Sequence, residues 1–115
     1  MKKENAILEK SYAFALAIMD TVKTIRAKHE YDLASQLWRA GTSVGANVEE
    51  AQAAQSLADF KSKMSIAAKE ARETHYWLRL TRDGNILSPA QVAPLIADIE
   101  EIKRILPSIV KSSGT

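Results

Sequence analysis

The chain of 115 residues predicts an all-α protein, an antiparallel up-down-up-down four-helix bundle in which residues 1–115 form a single domain. Apolar residues recur at steps of three and four over four consecutive segments, as on the buried side of an amphipathic helix. Residues that favour helices, such as Ala, Leu, Glu and Lys, are abundant, and no segment alternates apolar and polar residues over the length of a strand. The connections are short, which makes consecutive helices antiparallel.

The helices are predicted at about residues 4–28, 32–54, 57–83 and 88–110. Each has an apolar side that we expect to face a common core. These sides consist of Ile7, Ser11, Phe14, Ile18, Val22 and Ile25 in the first helix; Leu33, Leu37, Ala40, Val44, Val48 and Ala51 in the second; Phe60, Met64, Ala67, Ala71, Thr74 and Leu78 in the third; and Val92, Leu95, Ile99, Ile102, Leu106 and Ile109 in the fourth.

The predicted helix ends rest on residues that commonly cap helices. Asp32, Ser56 and Ser88 are the expected N-caps of the second, third and fourth helices, because a short polar side chain accepts a hydrogen bond from a free backbone N–H there. Gly84 is the expected C′ residue of the third helix. Pro107 is expected to kink or end the last turn of the fourth helix.

Two glycines, Gly41 and Gly45, lie four residues apart on one side of the second helix. A glycine inside a helix costs about 1 kcal/mol relative to alanine. We expect that the two glycines allow close packing against a neighbouring helix. The alternatives are a break in the helix or the close approach of a ligand.

Composition limits the class of protein. The hydrophobic fraction of 46% and the charged fraction of 26% are ordinary for a globular protein. Without cysteine the chain has neither disulfides nor thiolate metal sites. No stretch approaches the roughly 18 uncharged apolar residues of a membrane span. The N-terminus is basic, as in a signal peptide, but Glu9, Lys10 and Asp20 interrupt the apolar stretch that follows. We therefore predict a cytoplasmic protein with no membrane partner. The formal net charge of +2 is too small to indicate nucleic-acid binding by itself.

The sequence contains no motif for catalysis or cofactor binding. His29 and His75 are the two histidines. The Glu-x-x-His motif of di-iron bundles is missing, because Arg72 stands three residues before His75. We expect no enzyme activity, cofactor, metal site or small-molecule substrate.

Polar residues at helical spacing form two strips beside the apolar sides. The first strip consists of Arg39, Ser43, Asn47 and Glu50 in the second helix and Glu70, Glu73 and Trp77 in the third. The second strip is basic and consists of Lys61, Arg72, His75, Arg79 and Arg82 in the third helix. Three interpretations are open: solvated surface with ion pairs, contact between subunits, or contact of Lys61, Arg72, Arg79 and Arg82 with phosphates.

The segment Arg39–Ala51, with its Arg-x-x-x-Ser-x-x-x-Asn-x-x-Glu pattern, Phe60 and the segment Ala67–Leu78 resemble a bacterial family of four-helix bundles. That family includes proteins encoded in ribosomal-RNA intervening sequences and the accessory variability determinant of diversity-generating retroelements. The resemblance covers nearly the whole chain. It implies a four-helix bundle, a homopentameric barrel and no enzyme activity.

The resemblance also bears on partners. The retroelement members assist a reverse transcriptase and bind nucleic acid through a strongly basic surface. This sequence has only two more basic than acidic residues, so it is closer to the intervening-sequence branch.

Two functional hypotheses follow. In the first, the chain is a homo-oligomeric scaffold or interaction module in which Arg39, Asn47, Glu50, Glu70 and Glu73 form networks between helices or subunits. In the second, the chain is an accessory protein that binds structured RNA or DNA, alone or with a reverse transcriptase, through the basic residues Lys61, Arg72, Arg79, Arg82, Lys2 and Lys3.

Overall fold

The computed structural model describes the backbone of residues 3–113 and the side chains of residues 6–113. This part of the chain forms α1 (Lys3–Ala27), α2 (Tyr31–Gln52), α3 (Leu57–Asp83) and α4 (Pro89–Ser112). Consecutive helices pack against each other and α1 packs against α4, which closes a bundle of 46 × 21 × 19 Å. The predicted all-α four-helix bundle is confirmed.

The apolar sides of the four helices meet along the axis of the bundle. Phe14, Met64 and the aliphatic residues predicted for each helix are buried, apart from two residues near helix starts. Leu33 and Phe60 are only partly buried. They lie in the first turns of α2 and α3, where the neighbouring helices cover them incompletely. Within residues 3–113, no helix carries an apolar stretch long enough to cross a membrane.

The glycines of α2 face α1 at close range. A Cβ atom at Gly41 would lie 2.8 Å from Cγ1 and Cγ2 of Ile18, and one at Gly45 would lie 3.1 Å from the backbone oxygen of Ser11. The prediction of close helix packing is confirmed, and α2 continues through both glycines without a break.

The turn between α1 and α2 differs from the prediction. α2 begins at Tyr31 with Glu30 as its N-cap, so the assignment of Asp32 as the N-cap is wrong. The reason lies in the end of α1, where His29 adopts a left-handed conformation with φ 64°. The N–H groups of His29 and Glu30 donate to the carbonyls of Arg26 and Ile25, the hydrogen-bond pattern of a Schellman motif. This motif reverses the chain within three residues.

The end of α3 uses the same motif. Asn85, with φ 60°, occupies the left-handed C′ position, whereas Gly84 has φ −82° and is the C-cap. The N–H groups of Asn85 and Ile86 donate to the carbonyls of Arg82 and Thr81 over 3.1 and 3.0 Å. The assignment of Gly84 to C′ is therefore wrong by one residue, because asparagine also tolerates this conformation.

The serine N-caps are confirmed, but the effect of the proline is not. The Ser56 hydroxyl accepts from the N–H of Asp59 over 3.0 Å, and the Ser88 hydroxyl from that of Gln91 over 3.2 Å. α4 continues through Pro107 to Ser112, so of the two expected effects, a kink or an end of the helix, the end does not occur at Pro107. Proline has no N–H, so the carbonyl four residues before Pro107 loses its helical hydrogen bond. Because Pro107 is exposed, this carbonyl lies on the side of α4 that faces water.

Candidate functional site

A polar cluster joins α2 to α3 on the outside of the bundle. Arg39 donates from Nη1 to Oε1 of Glu70 over 3.2 Å and from Nη2 to Oε2 of Glu73. The indole Nε1 of Trp77 donates to the same Glu73 oxygen over 3.1 Å. We call these four residues the Arg39 cluster.

The spacing of the α3 residues explains the Arg39 cluster. Glu70, Glu73 and Trp77 are separated by three and four residues, so they share one side of α3. Arg39 is long enough to cross from α2, and its planar guanidinium reaches two carboxylates at once. Glu70 is 8% exposed, and a buried charge is costly without a partner of opposite charge. Arg39 provides that partner.

The remaining residues of the first polar strip do not reach α3. Ser43 donates to the Arg39 carbonyl over 2.5 Å, and Asn47 donates to the Ser43 carbonyl over 2.9 Å. Both side chains therefore bond to the backbone of their own helix. Glu50 is exposed and forms no ion pair with the side chains of residues 6–113.

The second strip lies on the outer surface shared by α3 and α4. Arg82 pairs with Asp83 at 2.7 Å, and the Arg79 guanidinium lies 5.9 Å from the centre of the Tyr76 ring. Arg72 and Lys111 line a groove between the two helices. Lys61 lies near the start of the same helix and is partly buried. Lys2 and the side chain of Lys3 lie outside the described residues.

His75 and Lys103 meet in the middle of this surface. The Lys103 ammonium lies 2.9 Å from Nδ1 of His75. Burial, followed by the nearby charges of Lys103 and Arg79, lowers the pKa of His75, whereas Glu100 acts in the opposite direction. We call Arg72, His75, Arg79, Arg82, Lys103 and Lys111 the α3/α4 face.

Sequence analysis missed the contribution of α4 to this face. Lys103 and Lys111 are eight residues apart and so lie on one side of α4, but their approach to α3 depends on the rotation of α4 about its own axis. No group of three or more His, Asp or Glu residues suited to a metal ion occurs in the described part of the chain.

An apolar groove between α1 and α2 was also missed. It has a volume of about 470 Å³ and is lined by Tyr12, Ala15, Leu16, Met19, Thr42, Gly45, Ala46 and Glu49. Tyr12 is 62% exposed and Leu16 is 50% exposed. The available signal was the spacing of Tyr12, Leu16 and Met19, which places a second apolar strip beside the core side of α1. We call this feature the α1/α2 groove.

Comparison with known proteins identifies similar chains. Residues 3–108 match the model of the 23S rRNA-intervening sequence protein family. The fold also matches the crystal structure of a protein of unknown function from the S23 ribosomal protein family of Bacteroides thetaiotaomicron. The TM-score is 0.92 at 39% sequence identity, and the match covers 96% of this chain and 100% of the other. The comparison with curated proteins gives no match.

Proposed function

The chain belongs to the 23S rRNA-intervening sequence protein family, and from this premise we propose that it acts as a non-enzymatic homo-oligomer, a scaffold or interaction module. The family resemblance in the sequence implies five copies. The solved relative that matches nearly the whole chain is itself of unknown function, so the proposal depends on the surfaces of this molecule.

The observation that supports the proposal best is the α1/α2 groove. Single exposed leucines are common on monomeric proteins, but contiguous apolar residues around a depression are typical of protein contact sites. Tyr12, Leu16 and Met19 lie on successive turns of α1, and Ala46 faces them from α2. Glu49 is the one charged residue among the lining residues. A groove that runs between two helices suits an apolar helix side of another copy.

In this proposal the Arg39 cluster also shapes the surface that contacts another copy. Its hydrogen bonds hold α2 against α3, and this fixes the outline that the bundle presents to a neighbouring copy. Arg39 remains 48% exposed although it bridges two carboxylates, and Trp77 is only partly buried. Arginine and tryptophan are enriched where protein surfaces meet. Ser43, Asn47 and Glu50 continue the same surface along α2 and remain candidates for contact between copies.

Light scattering on the eluate of a gel-filtration column tests the proposal. We expect a mass that is a multiple of the 12.7 kDa protomer, with five as the number implied by the resemblance. A chain that stays strictly monomeric at micromolar concentration would rule out the proposal.

The α3/α4 face favours a second candidate function, a nucleic-acid accessory protein for structured RNA or DNA, alone or with a reverse transcriptase. Arg72, Arg79 and Lys103 have no carboxylate within 4.0 Å among the side chains of residues 6–113. Several copies in one assembly would multiply the affinity of a weak basic surface. Lys61 lies on the same side of α3 and extends the surface.

Gel shifts with structured RNA and with DNA test this second candidate. Binding through phosphates is expected at low salt and should weaken steeply as salt is added, because each contact releases counterions. If no complex forms at low salt with micromolar protein, nucleic-acid binding is rejected.

A further inference from the structure

The contact between His75 and Lys103 has an unusual chemistry. An ammonium group has only hydrogen-bond donors, so Lys103 donates to Nδ1 of His75 over 2.9 Å. Nδ1 therefore carries no proton, and the proton of the neutral imidazole is on Nε2. Among the side chains of residues 6–113, none accepts a hydrogen bond from Nε2. His75 thus offers an N–H donor beside a lysine.

The cations around this pair lack the usual carboxylate partners. Among residues 6–113, no carboxylate lies within 4.0 Å of the charged groups of Arg72, Arg79, Lys103 or Lys111. Arg82 is the exception through its pair with Asp83. Like charges held together on one surface repel each other, and a bound anion would relieve that repulsion.

We propose that the α3/α4 face is a binding site for a phosphate group, centred on the Nε2–H of His75 and the Arg79 guanidinium, while the Lys103 ammonium holds the imidazole in the tautomer that carries the proton on Nε2. The inference rests on the second candidate function and specifies where that function would reside. The chemistry fits because guanidinium groups bind two phosphate oxygens at once and an ammonium acts as a point charge.

The arrangement of the cations favours a phosphodiester backbone over a free phosphate. Arg72, His75, Arg79 and Arg82 follow one side of α3, and the first and last are ten positions apart, which is about 15 Å of helix. Successive phosphates of one strand of a duplex are about 3.4 Å apart along its axis, so several would lie alongside this row. Lys103 and Lys111 form a second row on α4. A single free phosphate would use only the centre.

Titration of the histidine ring protons by NMR tests the site, because the chain has just two histidines and they lie on different parts of the bundle. His29, in the turn between α1 and α2, bonds to the Tyr31 hydroxyl and serves as an internal reference. The ring signals are followed against pH with sodium phosphate, with a short duplex oligonucleotide, and with sodium chloride at matched ionic strength. A phosphate bound at the site should raise the pKa of His75 relative to the chloride sample, because a nearby anion favours the charged ring. The His29 signals should be the same in the phosphate, oligonucleotide and chloride samples.

Each result of this titration has a distinct meaning. A response of His75 to the oligonucleotide at much lower concentration than to phosphate supports the site and the second candidate function together. A response to phosphate while the oligonucleotide neither binds nor shifts His75 supports the site but overturns nucleic-acid binding. A gel shift with no selective response of His75 leaves nucleic-acid binding intact and overturns the site. No response in any sample, or equal responses of both histidines, also overturns the site.

Charge variants provide a second measurement. Lys103→Gln and Arg79→Gln should each reduce the slope of log affinity against log salt for an oligonucleotide by about one. Lys23→Gln removes the same charge from an exposed position of α1, where Lys23 pairs with Asp20 at 3.8 Å, and it should leave the slope unchanged. Equal changes in all three variants would show that only net charge matters, which contradicts a defined site.

Discussion

Nη1 of Arg39 in α2 lies 3.2 Å from Oε1 of Glu70 in α3. The pair joins an arginine that is half exposed to a glutamate that is buried. An ion pair open to water adds little to stability, but a buried carboxylate without its partner is costly. The pair therefore fixes the position of α3 beside α2 more than it adds to the free energy of unfolding. Glu73 shares the same arginine, so loss of one carboxylate leaves Arg39 with the other.

Glu70→Ala is expected to lower the free energy of unfolding by about 1 kcal/mol, because it removes one charge-assisted hydrogen bond whose donor is half exposed. Urea unfolding followed by circular dichroism measures the change. Glu9→Ala is the matched control, since Glu9 is exposed and forms no ion pair with the described side chains, and it should change stability by less than about 0.5 kcal/mol. Equal losses in the two variants would show that the pair with Arg39 contributes nothing.

Gly41→Ala is expected to destabilise the fold despite the higher helix propensity of alanine. The new Cβ atom would lie 2.8 Å from two atoms of Ile18, which is buried and stiff because it is branched at Cβ. Overpacking of this kind costs about 1–3 kcal/mol, whereas the gain in propensity is about 1 kcal/mol. The net loss is measurable by thermal or urea unfolding. A variant more stable than the wild type would show that α1 and α2 separate readily.

The core was predictable from the sequence because helical periodicity is local. Phe14 and Ile18, for example, are fixed in the core by their spacing alone. The turns were harder: the left-handed residues are His29 and Asn85, and a backbone motif rather than a preferred side chain decides where each helix ends.

The candidate sites show the same limit at a larger scale. Spacing predicted that Glu70, Glu73 and Trp77 share one side of α3. That Arg39 faces them depends on the relative rotation and offset of two helices, which no single helix encodes. Lys103 was missed for the same reason, since its hydrogen-bond partner, His75, is 28 residues away in sequence.

The stability of the protein should fall as the pH is lowered through the range in which His75 titrates. Burial and the charges of Lys103, Arg79 and Arg82 lower the pKa of His75 in the folded state, while Glu100 opposes them. Between the folded and the ordinary pKa the unfolded chain binds more protons, so acidification favours unfolding. Urea unfolding between about pH 7 and pH 5 measures this. His75→Gln should flatten the dependence in this range, and an unchanged curve would contradict the assignment.

Glu73→Leu is expected to disturb assembly more than Lys111→Ala does. The substitution removes the acceptor shared by Arg39 and Trp77. Trp77 then loses its hydrogen bond, and Arg39 loses one of its two carboxylate partners at the edge between α2 and α3. Asn47→Leu should act in the same direction, because it replaces a polar side chain on the same surface. Sedimentation velocity at several protein concentrations measures the shift toward smaller species. If Lys111→Ala dissociates the assembly as strongly, the Arg39 cluster does not shape the interface.

Leu16→Glu should dissociate the assembly, because it places a carboxylate in the α1/α2 groove, where a neighbouring copy would have to bury it. Leu57→Glu is the matched control, since Leu57 is also 50% exposed but lies at the start of α3, outside the groove. A glutamate in the first turn of a helix is compatible with the helix dipole, so this control should fold normally. Light scattering gives the mass of each variant, and circular dichroism verifies that helix content is retained. A smaller mass for Leu16→Glu alone places the contact at the groove. If both variants keep the mass of the wild-type assembly, the interface lies on another surface, because a charge buried in an apolar contact would weaken that contact.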